Sequence, residues 1–267
     1  MNKKRLLVLV FALVALLSLT ACKSKEKDEN IIKIGATPIP HAELLEFIKD
    51  DLKAEGITLE IVEFTDYVTP NLALSEGEID ANFFQHVPYM DSFAKEHDIE
   101  LVSIGAVHVE PLGLYSKKFK DLSEITAGST IAIPNDPTNE GRSLLLLQAN
   151  GLIKLSPDAT LEATEKDIIE NNLDLKFEPI DAAQLPRSLD DVDAAIINTN
   201  YALEAELNPL EDALVLEGSE SPYANILTVT PDRAEDEALL KVLKALQSEK
   251  VRAFIEENYK GAVVPAF

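Results

Sequence analysis

Ile79-Asp80-Ala81-Asn82-Phe83-Phe84-Gln85-His86-Val87-Pro88-Tyr89 is an apolar run that passes into a segment opened by a proline. Ile79 to Phe84 predicts a strand. Pro88 suits the first turn of a helix, where its missing N–H is not needed, and predicts a helix over Val87 to Glu96. The same alternation continues on both sides. Upstream, Ile31 to Ala36 predicts a strand ending at Pro38 and Pro40, and Ala42 to Ala54 places Leu44, Leu45, Ile48 and Leu52 at helical spacing. Thr58 to Phe64 follows as a strand and Asn71 to Glu76 as a helix. Downstream come strands over Leu101 to Val109, Thr130 to Pro134, Leu173 to Phe177, Ala194 to Ile197 and Ile226 to Thr230. Helices are expected from Asp136 to Asn150-Gly151, over Ala234 to Gln247 and over Lys250 to Tyr259. Short apolar runs alternating with amphipathic stretches make an α/β protein of two units. Both units open alike, as strand, proline loop and helix: Ile34-Gly35-Ala36-Thr37-Pro38 and Ile131-Ala132-Ile133-Pro134-Asn135.

The first residues speak of location. Lys3, Lys4 and Arg5 precede an apolar run of 14 residues, Leu6 to Leu19. That is short of the ~20 a helix needs to cross a bilayer. Residues 1–21 therefore read as a secretory signal peptide. The ending Leu19-Thr20-Ala21-Cys22 looks like the cleavage box of bacterial lipoprotein precursors, which predicts lipidation at Cys22. The mature chain would then be anchored by lipid on the extracytoplasmic face of the cell membrane, with residues 22–30 as a lipidated N-terminus and flexible tether. Cys22 is the one cysteine of the 267 residues, so no disulfide forms within the chain.

The net charge of −23 repels phosphate backbones, which excludes nucleic acid as a partner. Enzyme signatures are absent. There is no phosphate loop, no Gly-x-Ser-x-Gly elbow and no nucleophile or metal set with recognisable spacing, so the chain is expected not to be an enzyme and to need no cofactor. His41, His86, His97 and His108 fall on different elements, outside metal-site spacing, and no metal is expected.

Three segments carry candidate binding residues. Ligands of open α/β sheets gather at the carboxyl ends of strands. In the Ile79 strand Phe83 shares a face with Ala81 and packs inward, leaving Phe84, His86 and Tyr89 at the mouth, with Tyr67 at the end of the preceding strand. Aromatic residues serve equally well as core. Arg142 lies one turn into the helix that begins at Asp136-Pro137, where free N–H groups already favour an anion, and its guanidinium could grip the same anion with two prongs. Pairing with a surface carboxylate is the alternative. Asn198 in Asn198-Thr199-Asn200-Tyr201 and Asn225 in Ser221-Pro222-Tyr223-Ala224-Asn225 adjoin strands, and their amides can accept from an ammonium or donate to a carboxylate. Turn or cap duty is the ordinary use of such asparagines.

At these residues the chain closely resembles the methionine-binding lipoproteins, the substrate-binding components of methionine ABC importers. The resemblance rests on Tyr67-x-x-Pro70-Asn71-x-Ala73-Leu74, Asp80 to Tyr89, Ile133 to Arg142, Ile197-Asn198-x-Asn200-Tyr201-Ala202 and Ser221-Pro222-Tyr223-x-Asn225. It runs from about Ile31 to Phe267. What it implies is a two-lobed periplasmic-binding-protein-like fold of type II, with the ligand cleft between lobes made of residues 31–114 with 225–267 and of residues 115–224. L-Methionine would be clasped in that cleft and delivered to a permease driven by a separate ATPase subunit. By the same resemblance Arg142 would hold the ligand carboxylate, Asn198 and Asn225 the polar groups at its α-carbon, and Tyr67, Phe84, His86 and Tyr89 its thioether arm. Another amino acid or a short peptide is the alternative ligand, and a surface adhesin or hydrolase the alternative class.

Overall fold

The structure, a computed structural model, describes residues 31–218 and 222–267. The expected signal peptide, Cys22 and the tether lie outside the described residues, as does Ser221. The first run of elements is β1 (Ile31–Ala36), α1 (Glu43–Ala54), β2 (Thr58–Glu63), α2 (Thr69–Ser75), β3 (Ala81–His86), α3 (Val87–His97) and β4 (Val102–Val109). The second is β5 (Gly113–Tyr115), β6 (Thr130–Pro134), α4 (Pro137–Ala149), β7 (Lys154–Leu155), β8 (Ile168–Glu170), β9 (Lys176–Ile180), α5 (Leu185–Ser188), β10 (Ala194–Ile197), α6 (Thr199–Glu204), α7 (Pro209–Asp212) and β11 (Ala213–Leu216). β12 (Ala224–Val229), α8 (Glu237–Leu246), α9 (Glu249–Tyr259) and β13 (Val264–Pro265) complete the chain.

Two main sheets result, ordered β13-β4-β12-β3-β1-β2 and β11-β5-β10-β6-β9, within the single unit formed by residues 32–267. The echo between Ile34–Pro38 and Ile131–Asn135 has a structural counterpart. β1 pairs in parallel with β3, which meets β12 antiparallel, and β6 pairs in parallel with β10, which meets β5 antiparallel. The chain leaves the first sheet after Val109, enters the second at Gly113, and returns through the segment between Leu216 and Ala224.

Each sheet has its own core. Ile32 and Ile34 of β1 pack with Leu44, Leu45, Ile48 and Leu52 of α1, and with Leu239, Val242 and Leu246 of α8. In the second sheet Ile131 and Ile133 pack with Leu144 and Leu147 of α4, Leu114 and Ile196. Burying such a side chain stabilises by about 1.5–3 kcal/mol, which lets these elements do without a disulfide. α4 is seated by Gly141, where an added Cβ would lie 2.2 Å from the Leu161 carbonyl oxygen. Its start is set by Asp136, whose side chain accepts from the Asn139 backbone N–H at 2.9 Å.

Several expected boundaries shift, three of them for a plain local reason or by two or more residues. The strand placed over Leu173 to Phe177 is β9, because Asp174 takes a left-handed turn (φ 49°) just before it. β9 then carries Pro179 at a sheet edge, where a missing N–H is tolerated. The strand expected at Ile79 to Phe84 is β3, ending at His86. The helix expected from Ala234 begins at Glu237, since Asp236 caps it by accepting from the Ala238 and Leu239 N–H groups. The short β5, β7, β8, β11 and β13 had no sequence signal, being two to four residues each.

Candidate functional site

All seven candidates converge. Tyr67, Phe84, His86, Tyr89, Arg142, Asn198 and Asn225 line one cavity. The elements explain the convergence. Phe84 and His86 lie toward the end of β3, Tyr89 opens α3, Arg142 lies in α4, Asn198 stands immediately before α6, and Asn225 in β12 is opposite His86 of β3 and His108 of β4. Gln85, Glu110, Asn139, Thr199 and Asn200 also line it. Asn139 and Asn200 lay inside segments already singled out, without an assigned role. Glu110 gave no signal, for one more carboxylate in so acidic a chain is unremarkable.

One side of the cavity is aromatic. Tyr67 lies 5.8 Å from Phe84, 5.8 Å from Tyr89 and 4.9 Å from Tyr201, ring centre to ring centre. Phe84 is buried here, while its neighbour Phe83 faces the other way into the core of the first sheet. The Tyr89 hydroxyl donates to the Tyr67 carbonyl at 2.9 Å, and the Tyr67 hydroxyl donates to Asn200 Oδ1 at 2.5 Å. That second bond ties the loop before α2 to α6, across the two sheets. Burial pushes the Tyr67 phenol well above its ordinary pKa, so it stays a donor.

The other side is polar. Arg142 is buried, and its guanidinium lies 4.3 Å over the Tyr223 ring. Its Nε donates to both Glu217 oxygens at 3.1 Å, and Nη2 donates to Glu217 Oε2 at 2.5 Å and to the Glu110 carbonyl at 2.7 Å. The expected two-pronged grip on an outside anion would share this guanidinium with Glu217, the carboxylate pairing that the sequence left as the alternative. Glu217 occupies the Nε–Nη2 edge, and Nη1 is what remains without a hydrogen-bond partner among the described residues.

Asn225 is held from behind by histidine. His41 Nε2 lies 3.0 Å from Asn225 Oδ1 and 3.2 Å from Glu110 Oε1, while His41 Nδ1 meets the Thr37 hydroxyl at 2.7 Å. His108 Nε2 lies 2.7 Å from the same Glu110 oxygen. Burial depresses His41 to about 4 and His108 to about 3, so both rings are neutral at pH 7. Burial raises the Glu110 carboxyl, against the opposing pull of His41 and Arg142. A neutral His41 facing two acceptors carries its proton on Nε2 and donates. Asn225 is thus left to present Nδ2. Sequence spacing did not anticipate that His41, His108 and Glu110 bring three potential metal-ligand atoms within 4.8 Å of one another. His41 Nε2 and His108 Nε2 both already face the same Glu110 oxygen.

His86 has a polar duty beyond lining the aromatic side. Its Nδ1 accepts the Tyr89 backbone N–H at 3.1 Å and its Nε2 lies 3.4 Å from Asn139 Oδ1. Asn198 Nδ2 donates to that same Asn139 oxygen at 3.0 Å. The Thr199 hydroxyl is engaged with the Pro111 carbonyl at 2.5 Å. The cavity thus joins an aromatic slot to a guanidinium and a set of amides, which suits a small ligand with a charged head and an apolar arm.

Residues 32–267 match the NlpA lipoprotein family. The chain is 44% identical to the D-methionine-binding lipoprotein MetQ of Escherichia coli (strain K12), over 96% of this chain and 95% of that protein. It is 45% identical to the membrane lipoprotein TpN32 of Treponema pallidum (strain Nichols), over 97% of this chain and 96% of the other. Among solved structures, a nutrient binding protein from Burkholderia cenocepacia bound to methionine superposes with a TM-score of 0.86 at 47% identity, covering 88% of this chain and 100% of its own. A periplasmic substrate-binding protein of an ABC transporter from Coxiella burnetii superposes with a TM-score of 0.85 at 43% identity, covering 88% and 100%. The fold is that of the two-lobed periplasmic binding proteins, and by sequence and structure together the chain belongs to the NlpA lipoprotein family.

Proposed function

We propose that this protein captures methionine between its two sheets and delivers it to an ABC permease powered by a separate ATPase, acting as a binding protein without catalysis. The observation that carries the proposal is the cavity itself, with the Tyr67, Phe84 and Tyr89 rings on one side and Arg142, Asn198 and Asn225 on the other. An unbranched thioether suits an aromatic slot because sulfur makes favourable contacts with ring edges. A zwitterionic head carries both charges on one carbon, so donors and acceptors must stand close together. The two lobes are built on the two sheets, and ligand binding and closure are one event because each lobe holds part of the set. Residues 1–21 serve as the signal peptide, and Cys22 as the lipid attachment that keeps the protein on the extracytoplasmic face of the membrane.

The test is thermal unfolding of the protein, confirmed empty by mass spectrometry, with and without L- and D-methionine. Ligand at ~1,000 times its dissociation constant adds about 4 kcal/mol of stability. Proteins of this size shift by roughly 2–4 °C per kcal/mol, so a rise of several degrees is expected. With no tryptophan in the chain, calorimetry is the suitable method. An unchanged melting temperature at millimolar concentrations of both enantiomers would remove methionine as the ligand.

A further inference from the structure

Two asparagines present their amides to the cavity in opposite senses, and the sense of one of them traces back to a charge. A carboxylate can only accept hydrogen bonds. Asp136 takes the Asn139 backbone N–H at 2.9 Å, the Thr138 hydroxyl at 3.0 Å, and Asn139 Nδ2 at 3.0 Å from each of its oxygens. The Asn139 side chain is thereby oriented. Its NH2 faces Asp136, and its Oδ1 faces Asn198 Nδ2 at 3.0 Å and His86 Nε2 at 3.4 Å.

The histidine end gives the same orientation independently. The Tyr89 backbone N–H can only donate, and it donates to His86 Nδ1 at 3.1 Å. The neutral ring therefore carries its proton on Nε2 and meets Asn139 as a donor. With its Nδ2 committed to Asn139, Asn198 is left with Oδ1 buried and without a hydrogen-bond partner among the described residues. A buried acceptor left unpaired is costly, and a ligand that donates to it recovers that cost. Asn225 does the reverse, its Oδ1 being taken by His41 at 3.0 Å.

We propose that Asp136 makes this cleft selective for a protonated amine: acting through Asn139, it holds the Asn198 carbonyl oxygen toward the ligand, so that an ammonium meets an acceptor rather than an NH2 group. Asp136 is a positioning residue and touches no ligand. The inference rests on the proposal that the cleft binds an amino acid.

Isothermal titration of the purified full chain tests it, with L-methionine and with 4-(methylthio)butanoate, the same molecule without its amine. Asp136→Asn keeps an oxygen to cap α4 but puts an NH2 where the second carboxylate oxygen stood, facing Asn139 Nδ2. Asn139 Nδ2 then keeps one acceptor where it had two, and the hold on the Asn198 carbonyl oxygen loosens. Methionine affinity is expected to fall about tenfold or more while affinity for the deaminated analogue stays within about twofold of wild type. Asn139→Ala removes the middle of the relay and is expected to give the same selective loss, which also covers an Asp136→Asn variant that fails to fold. Equal weakening of both ligands would reduce Asp136 to a helix cap and overturn the inference, as would an unchanged preference. A wild type that binds neither ligand would overturn the amino-acid proposal and this inference with it. A wild type that prefers methionine, with the preference intact in both variants, would overturn this inference alone.

Discussion

Arg142 and Glu217 hold each other along one edge of the guanidinium, and they differ in burial: the arginine side chain is 4% exposed and the glutamate 18%. The two partners are therefore not equivalent. Glu217 can turn to solvent if Arg142 is removed, whereas Arg142 without Glu217 keeps a buried charge whose remaining contacts are the Glu110 carbonyl and the Tyr223 ring.

Arg142→Ala is accordingly expected to cost affinity and little stability. Loss of one partner of a desolvated charge contact costs about 2–5 kcal/mol, or roughly 30-fold to several thousand-fold in methionine affinity. Glu217→Ala is expected to destabilise the empty protein by about 3 kcal/mol. Urea melts of both variants check the order, and an Arg142→Ala variant less stable than Glu217→Ala would refute it.

The aromatic slot is expected to set which amino acid is accepted, because Arg142, Asn198 and Asn225 face groups common to all of them. Sulfur–aromatic contacts are worth ~0.3–1.5 kcal/mol each. Replacing Phe84 or Tyr67 by leucine should therefore reduce the preference for methionine over norleucine by about two- to tenfold. Competition binding measures this. Unchanged ratios in both variants would show that these rings serve the core only.

Acid should destabilise the protein in part through His86. Burial first, and then the Arg142 charge, depress its pKa from 6.5 to about 3. The unfolded chain therefore binds a proton below pH 6.5 that the folded chain refuses. This contribution to stability is complete above pH 6.5 and is lost as pH falls toward the folded value near 3. His86→Asn keeps an acceptor for the Tyr89 N–H and has nothing to titrate. Between pH 6.5 and 4.5 wild type should lose about 2–3 kcal/mol more than the variant. Denaturant titrations at the two pH values decide, and parallel losses would mean that His86 does not carry the effect.

Gly141 is expected to tolerate no side chain. A Cβ there would lie 2.2 Å from Leu161 O and 2.8 Å from Ala163 N, both backbone atoms that cannot swing aside. Gly141→Ala gains about 1 kcal/mol of helix propensity, yet forcing the 161–163 segment off α4 should cost about 1–3 kcal/mol or more. Binding should weaken as well, since Asn139 and Arg142 flank this glycine on α4. A variant with unaltered melting temperature and affinity would show that the segment yields freely.

Much of the fold was legible because buried strands and amphipathic helices leave strong periodic signals. Ile31–Ala36 and Glu43–Ala54 were readable from local pattern alone. Asp174 misled the pattern because left-handed backbone is not visible in composition, so β9 slipped by three residues. β5, β7, β8, β11 and β13 left no trace, since their place is decided by the neighbours they pair with.

Of the site, the sequence established which residues adjoin a strand end or helix start, and that was enough to bring seven side chains to one cavity. It said nothing of what each polar atom would face. The Asn198 amide is oriented by Asn139, 59 residues away, the Asn225 amide by His41, 184 residues away, and the Arg142 guanidinium by Glu217, 75 residues away. An asparagine is the same letter whether it offers its oxygen or its NH2. Which one reaches the cavity depends on the partner behind it, and only the tertiary fold puts that partner there.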